Sequence, residues 1–339
     1  MPLSAGKYLG LRRLADAQGR FKMVAIDQRT PLFGLIAAKR GTADAPYEDV
    51  VAVKERLAER LSPKASAMLL DPIYAFPRVL PIMDVRPGLM LSLEHSRVED
   101  TPKGKLSRVI PGWSVEKIRR AGADAVKVLV WYRHDADPAV KQHQQDFVRA
   151  AGEACARFDI VHLLEILIYP LPGETPEQIA GRRSELVLGA VADFADPGFR
   201  VDIYKLEAPG RLHTMPDPHG PEAGTEQALY DRMAGRVPKP WVLLSAGAGA
   251  EDFRRSLTYA YRAGASGYLC GRAIWQTAFA RFPDLAAMDR ALVAEAVPYL
   301  DEINGLTDRL ATPWTGPAGF ASDAVVASGA SFSEDYPAC

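Results

Sequence analysis

The sequence predicts a closed (β/α)8 TIM barrel on three observations. Eight short apolar runs recur along the chain, amphipathic stretches fill the intervals, and ionisable residues collect at the C-terminal ends of the runs. The runs lie at residues 23–27, 65–71, 89–94, 125–131, 161–167, 201–207, 241–247 and 267–272. Near-continuous apolar strands alternating with amphipathic helices are the signature of a parallel sheet covered by helices. A doubly wound open sheet shares that alternation. Its nucleotide-binding forms lose support here, because no GxGxxG follows the first run and no GxxxxGK[ST] occurs anywhere.

The first run ends in Asp27, with Gln28 and Arg29 directly after it. Residues 47–61 then set Val50, Val53, Leu57 and Leu61 on one face among charged neighbours, which reads as a helix. The second run ends in Asp71 and the third in Glu94. Residues 114–122 open on Ser114, an N-cap candidate, and close on Gly122, so a helix delivers the chain into the fourth run, which carries Lys127. The fifth run holds His162 and Glu165, and the sixth Lys205 and Glu207. The seventh ends in the glycine-rich stretch Ser245, Ala246, Gly247; residues 263–267 end the next helix, and the eighth run closes on Gly271 and Arg272. Side chains alternate across a strand. If Lys205 points into the barrel, Ile203 and Glu207 do too, while Tyr204 and Leu206 face the helices; Glu165 likewise shares a face with Leu163 and Leu167.

At 339 residues the chain fits one barrel with insertions. Residues 1–305 are expected to form that single domain, and residues 306–339 a C-terminal extension that is extended or partly disordered. Hydrophobic residues make up 48% and charged residues 24%, with Lys+Arg 41 against Asp+Glu 42. That is a globular composition without the basic excess of a nucleic-acid binder. Cys155, Cys270 and Cys339 are too few and too scattered for a disulfide framework or a zinc site, so a reducing cytoplasm is the expected location. The first residues lack the apolar core of a signal peptide, and no apolar run reaches the roughly 18 residues of a membrane span. A homo-oligomeric assembly is expected.

A lysine in an apolar strand calls for a reason, because a buried ammonium is costly unless paired. For Lys205 one reason is an ion pair with Glu165 or Glu207, and the other is Schiff-base chemistry, in which an amine attacks a carbonyl while a carboxylate or a phenol moves protons. Lys127 supplies a second positive charge at the same barrel end, and from these residues alone the two lysines can exchange roles. A competing arrangement uses Asp71, Glu94, Glu165 and Glu207 to hold Mg²⁺. The six histidines contain no HxH or HExxH pair, so a zinc-dependent aldolase is not expected, and His162 reads as a satisfied core residue. Ser245, Gly247, Gly271 and Arg272 stand at the ends of the last two strands, where barrels of this kind bind phosphate. No metal and no cofactor are expected.

With these residues in place, the chain resembles the class I tagatose 1,6-bisphosphate aldolase family. Seven motifs carry the resemblance in order: AIDQR at 25–29, LLDPIY at 69–74, AGADAVK at 121–127, LEIL at 164–167, YKLE at 204–207, LSAG at 244–247 and CGRAIW at 270–275. It implies Lys205 as the Schiff-base lysine, Glu165 as the main proton-transfer group and Lys127 as its cationic partner. Asp27 and Gln28 would bind hydroxyls around the scissile bond. Ser245, Gly247, Gly271 and Arg272 would hold the phosphate beside the ketone, and Arg29 the other phosphate. The implied reaction is reversible cleavage of a ketohexose 1,6-bisphosphate, tagatose 1,6-bisphosphate foremost, into dihydroxyacetone phosphate and glyceraldehyde 3-phosphate, with the sugar phosphate as partner. Residues 211–225 and the segment after 306 depart from the family pattern. A sulfofructose-phosphate aldolase of the same mechanism, or a sugar-phosphate sensor without catalysis, are the alternatives.

Overall fold

The computed structural model describes residues 3–316, 320 and 331–336. Its strands are β1 (Phe21–Ala25), β2 (Ala67–Leu70), β3 (Gly88–Ser92), β4 (Glu99–Thr101), β5 (Gly104–Leu106), β6 (Ala125–Trp131), β7 (Val161–Leu167), β8 (Ile203–Leu206), β9 (Trp241–Leu243) and β10 (Gly267–Cys270). Helix α1 (Ala5–Leu14) precedes β1, α2 (Thr30–Arg40) and α3 (Tyr47–Leu61) lead to β2, and the short α4 (Phe76–Val79) leads to β3. Helices α5 (Val115–Arg120), α6 (Pro138–Arg157), α7 (Pro176–Asp193), α8 (Ala223–Ala234) and α9 (Ala250–Arg262) join the later strands. After β10 come α10 (Arg272–Phe279), α11 (Leu285–Ala291) and α12 (Val297–Leu310), and α13 (Phe332–Asp335) lies near the chain end.

Eight parallel strands close a barrel in the order β1-β10-β9-β8-β7-β6-β3-β2. β1 pairs with β2 on one side and with β10 on the other, which removes the open edge a doubly wound sheet would keep. All eight expected runs supply a barrel strand. Several ladders are shorter than the runs because the chain turns away at the mouth: β9 stops at Leu243, and Ala246 and Gly247 take positive φ of 48° and 90°. The antiparallel pair β4-β5 and the helix α1 were not anticipated. Each strand of that pair is three residues long, too short to display alternation.

Parity assigns the core. Met23, Ala25, Leu69, Met90, Leu163, Ile203 and Leu269 fill the barrel interior, joined at its base by Leu11 and Leu14 of α1 and by Trp314 and Phe320. The outward positions, Tyr204 and Leu206 among them, pack with Val50, Val53, Leu57 and Leu61 of α3 in the layer between strands and helices. Apolar plugging of the base leaves the C-terminal mouth for polar groups. α12 carries across the expected boundary at residue 305, and residues 317–319, 321–330 and 337–339 of the expected extension lie outside the described residues.

Two strand-end carboxylates break the parity rule. Asp71 accepts from Lys54 of α3 and from the amides of Ile73 and Tyr74 at 2.9 and 2.7 Å, with the Lys54–Asp71 pair wholly buried outside the barrel. Glu207 pairs with Arg183 of α7 at 2.5 Å and accepts from Ile168 N at 2.7 Å. Both residues lie just past the ends of their ladders, where backbone turning overrides alternation. The four-carboxylate arrangement around Mg²⁺ therefore does not assemble, because Asp71 and Glu207 serve the helix layer. His162 is fully buried, which lowers its pKa to about 4; Nδ1 meets Arg200 O at 3.3 Å, whereas Nε2 has no partner among the described residues, so the imidazole is only half satisfied.

Candidate active site

Above the apolar interior, the next inward positions are Asp27, Ser92, Lys127, Glu165 and Lys205, all buried. Asp27 follows β1 and keeps its inward direction because Ile26 N still bonds Leu69 O at 3.0 Å. Registry places Lys127 beside Ser92, and Glu165 beside Lys205. Asp27, Lys127, Glu165 and Lys205 line a cavity of about 620 Å³ at the C-terminal mouth, together with Gln28, Arg29, Glu94, His95, Arg97, Lys105, Trp131 and Arg272.

The two lysines have different surroundings. Lys127 Nζ contacts Asp27 Oδ2 at 2.9 Å, Glu94 Oε1 at 2.8 Å and Glu165 Oε2 at 2.9 Å. Among the described residues, Lys205 Nζ forms one ion pair, with Glu165 Oε1 at 3.0 Å. Glu165 thus bridges the amines, one oxygen to each. Glu94 also accepts from Leu129 N at 3.2 Å and from Arg29 Nη2 at 3.0 Å, while Arg29 Nη1 donates to the Glu94 carbonyl at 2.9 Å. Ser92 Oγ donates to Asp27 Oδ2 at 3.1 Å. Gln28 Oε1 is buried without a partner among the described residues.

Electrostatics follow from these distances. Burial pulls the Lys127 ammonium down, but Asp27, Glu165 and Glu94 together raise its pKa well above the ordinary value. Burial pushes Asp27 up, and Lys127, Lys205 and Arg29 outweigh it and hold the carboxylate low. Glu165 is lowered too: burial raises it, Lys127 and Lys205 lower it further, and Asp27 opposes them. Lys127 is therefore locked as a cation that balances three carboxylates.

These directions set a pH prediction. As pH falls through the ordinary values of 4.5 and 3.8, an unfolded chain takes up protons that folded Glu165 and Asp27 refuse, so their contribution is present above about pH 4.5 and lost below it. For Lys127 the sign reverses: its contribution is complete below 10.5 and lost as pH rises through the higher folded value. The urea midpoint should be level from about pH 7 to about pH 9 and begin to fall below about pH 6.5, as the unfolded chain protonates His162 while the buried imidazole resists down to about 4. It should fall further below about pH 4.5 as the network's contribution is lost; a midpoint unchanged down to about pH 3 would contradict the network.

The other expected residues lie toward β9 and β10. Arg272 opens α10 and lines the cavity, whereas Ser245, Gly247 and Gly271 are not among its lining residues. A Cβ on Gly247 would lie 3.5 Å from the Arg272 guanidinium, and φ of 90° there already demands glycine. A Cβ on Gly271 would collide with the Ala25 carbonyl, so the close approach of β10 to β1 needs that glycine. Ser92, Lys105, Arg97 and Trp131 were missed by sequence reasoning. Ser92 was legible, since it shares inward parity with Met90. The hairpin residues were not, because nothing local shows that β4 and β5 fold over the mouth.

A family model for DeoC/LacD family aldolases matches residues 21–277. The chain is 32% identical over 324 residues to tagatose 1,6-diphosphate aldolase 1 of Streptococcus mutans, covering 93% of this chain and 99% of that protein. It is 30% identical over 325 residues to tagatose 1,6-diphosphate aldolase 2 of Enterococcus faecalis, covering 93% and 97%. Among solved structures, an archaeal fructose 1,6-bisphosphate aldolase superposes with a TM-score of 0.53 at 16% identity, over 86% of this chain and 99% of that one. The fructose-bisphosphate aldolase of Plasmodium falciparum superposes with a TM-score of 0.64 at 14% identity, over 92% and 98%. At such identities the structural likeness speaks for the barrel fold.

Proposed function

The chain belongs to the DeoC/LacD family of aldolases, and from that premise we propose that it reversibly cleaves a ketohexose 1,6-bisphosphate, tagatose 1,6-bisphosphate foremost, to dihydroxyacetone phosphate and glyceraldehyde 3-phosphate through an imine on Lys205. The observation that carries this reading is the asymmetry of the amines: Lys127 is held by three carboxylates, Lys205 by Glu165 alone.

In this reading Lys205 gives a proton to Glu165 Oε1 and its free amine attacks the C2 ketone, forming a carbinolamine. Glu165 returns the proton to the departing hydroxyl, water leaves, and an iminium remains. The C4 hydroxyl then loses its proton to Glu165, the C3–C4 bond breaks, and its electron pair enters the iminium as an enamine while the aldehyde departs. Reprotonation at C3 and hydrolysis release the ketone phosphate and restore the lysine. Lys127 fixes Glu165 and Asp27 in position and neutralises them, Asp27 and Gln28 meet substrate hydroxyls, and Arg272, with the Gly247 turn packed close against its guanidinium, holds the phosphate beside the ketone.

Catalytic efficiency on tagatose 1,6-bisphosphate, fructose 1,6-bisphosphate and 6-deoxy-6-sulfofructose 1-phosphate tests the assignment. Both bisphosphates should be cleaved better than the sulfosugar, and EDTA should leave the rates unchanged. A preference of more than about tenfold for the sulfosugar, roughly 1.4 kcal/mol in transition-state binding, would overturn the substrate. Loss in EDTA with recovery on adding Mg²⁺ would overturn the mechanism.

A further inference from the structure

Resting on the bisphosphate reading, we propose that Arg97, on the loop before β4, receives the terminal phosphate remote from the ketone, and so sets the preference for doubly phosphorylated sugars. Arg29 was the expected residue for that role, but all of its donors face inward: Nη1 and Nη2 go to Glu94, and Nε meets the Asp27 carbonyl at 3.3 Å.

The cavity's other cations are committed as well. Lys127 and Lys205 bind carboxylates, and Lys105 pairs with Asp100 while lying over the rings of Trp131 and Tyr169 at 5.9 and 5.6 Å. Among the cavity-lining cations, only the Arg97 and Arg272 guanidinium groups have no hydrogen bond or ion pair among the described residues. They stand apart around the mouth. Arg272 follows β10, and Arg97 follows β3, three strands away through β1 and β2. The other arc of the barrel, β9-β8-β7-β6, carries Lys205 on β8 and Glu165 on β7, so a molecule with an anionic group at each end would present its middle to that pair.

The loop that carries Arg97 is held in place. Its backbone N–H donates to His95 Nδ1 at 3.1 Å, His95 N donates to Arg108 O at 2.8 Å, and Thr30 Oγ1 donates to Ser96 O at 3.2 Å. The following hairpin is pinned through Lys105 N, which donates to Tyr169 Oη at 3.1 Å. Arg97 is thus an exposed guanidinium on an anchored support, which suits bidentate capture of a phosphate arriving from solvent.

The test is the ratio of kcat/KM for fructose 1,6-bisphosphate to that for fructose 1-phosphate. In Arg97→Ala this ratio should fall by about 10- to 100-fold, the usual worth of a charge-assisted hydrogen bond, and Arg97→Lys should restore part of it. An unchanged ratio, whether both efficiencies hold or both fall together, would overturn the proposal. Calorimetric binding of the uncleavable hexitol 1,6-bisphosphate and hexitol 1-phosphate repeats the comparison without turnover. Failure of the wild type to cleave any sugar phosphate would sink the aldolase substrate reading, while loss of the hexitol preference in Arg97→Ala would still decide the Arg97 site.

Discussion

Lys205→Ala should lower turnover of the hexose bisphosphate by about five orders of magnitude or more, the scale seen when a covalent nucleophile is removed, and should leave the fold standing. The expectation of a stable variant comes from Glu165. After the substitution its Oε2 still pairs with Lys127 at 2.9 Å, so no carboxylate is stranded, and one buried ammonium with its desolvation cost is gone. Lys127→Ala should behave differently. It leaves Asp27, Glu94 and Glu165 buried together without the ammonium that joins them, which should cost about 3–5 kcal/mol of stability as well as activity. Urea unfolding alongside steady-state rates separates the two; a Lys205→Ala enzyme within tenfold of wild type would end the imine reading.

Glu165→Gln should cost roughly two to four orders of magnitude in kcat with little change in substrate affinity, because the amide preserves shape but cannot carry the proton between Lys205, the C2 oxygen and the C4 hydroxyl. Its position supports the size of the effect: among the described residues it is the one carboxylate that touches Lys205, at 3.0 Å. A loss of less than about tenfold would move the proton work to another group, with Asp27 next in line through its inward position on the same cavity.

The barrel and most of its polar centre were legible in the sequence because two physical rules act locally. Apolar continuity marked the eight strands, and alternation carried Lys127, Glu165 and Lys205 to the same side as the core residues two positions before them. Alternation failed at Asp71 and Glu207, which sit beyond their ladders and are claimed by Lys54 and Arg183 from the helix layer. Those partners lie 17 and 24 residues away in sequence, and nothing near the carboxylates announces them. The engagement of Arg29 by Glu94 spans 65 residues and depends on how two strand ends meet. The closing of the barrel base by Trp314 and Phe320 is likewise a long-range event, made by a segment whose composition carries no helical or strand period.

The central claim, that Lys205 is the amine that forms the imine, is tested most directly by trapping. The protein is incubated with dihydroxyacetone phosphate, reduced with borohydride and mapped by mass spectrometry after proteolysis. The account predicts irreversible inactivation and a single reduced adduct on the peptide containing Lys205, absent in Lys205→Ala and present at reduced rate in Glu165→Gln. An adduct on Lys127 would transfer the nucleophile's role across the cavity, and full activity after reduction with no adduct on either lysine would contradict the imine mechanism itself.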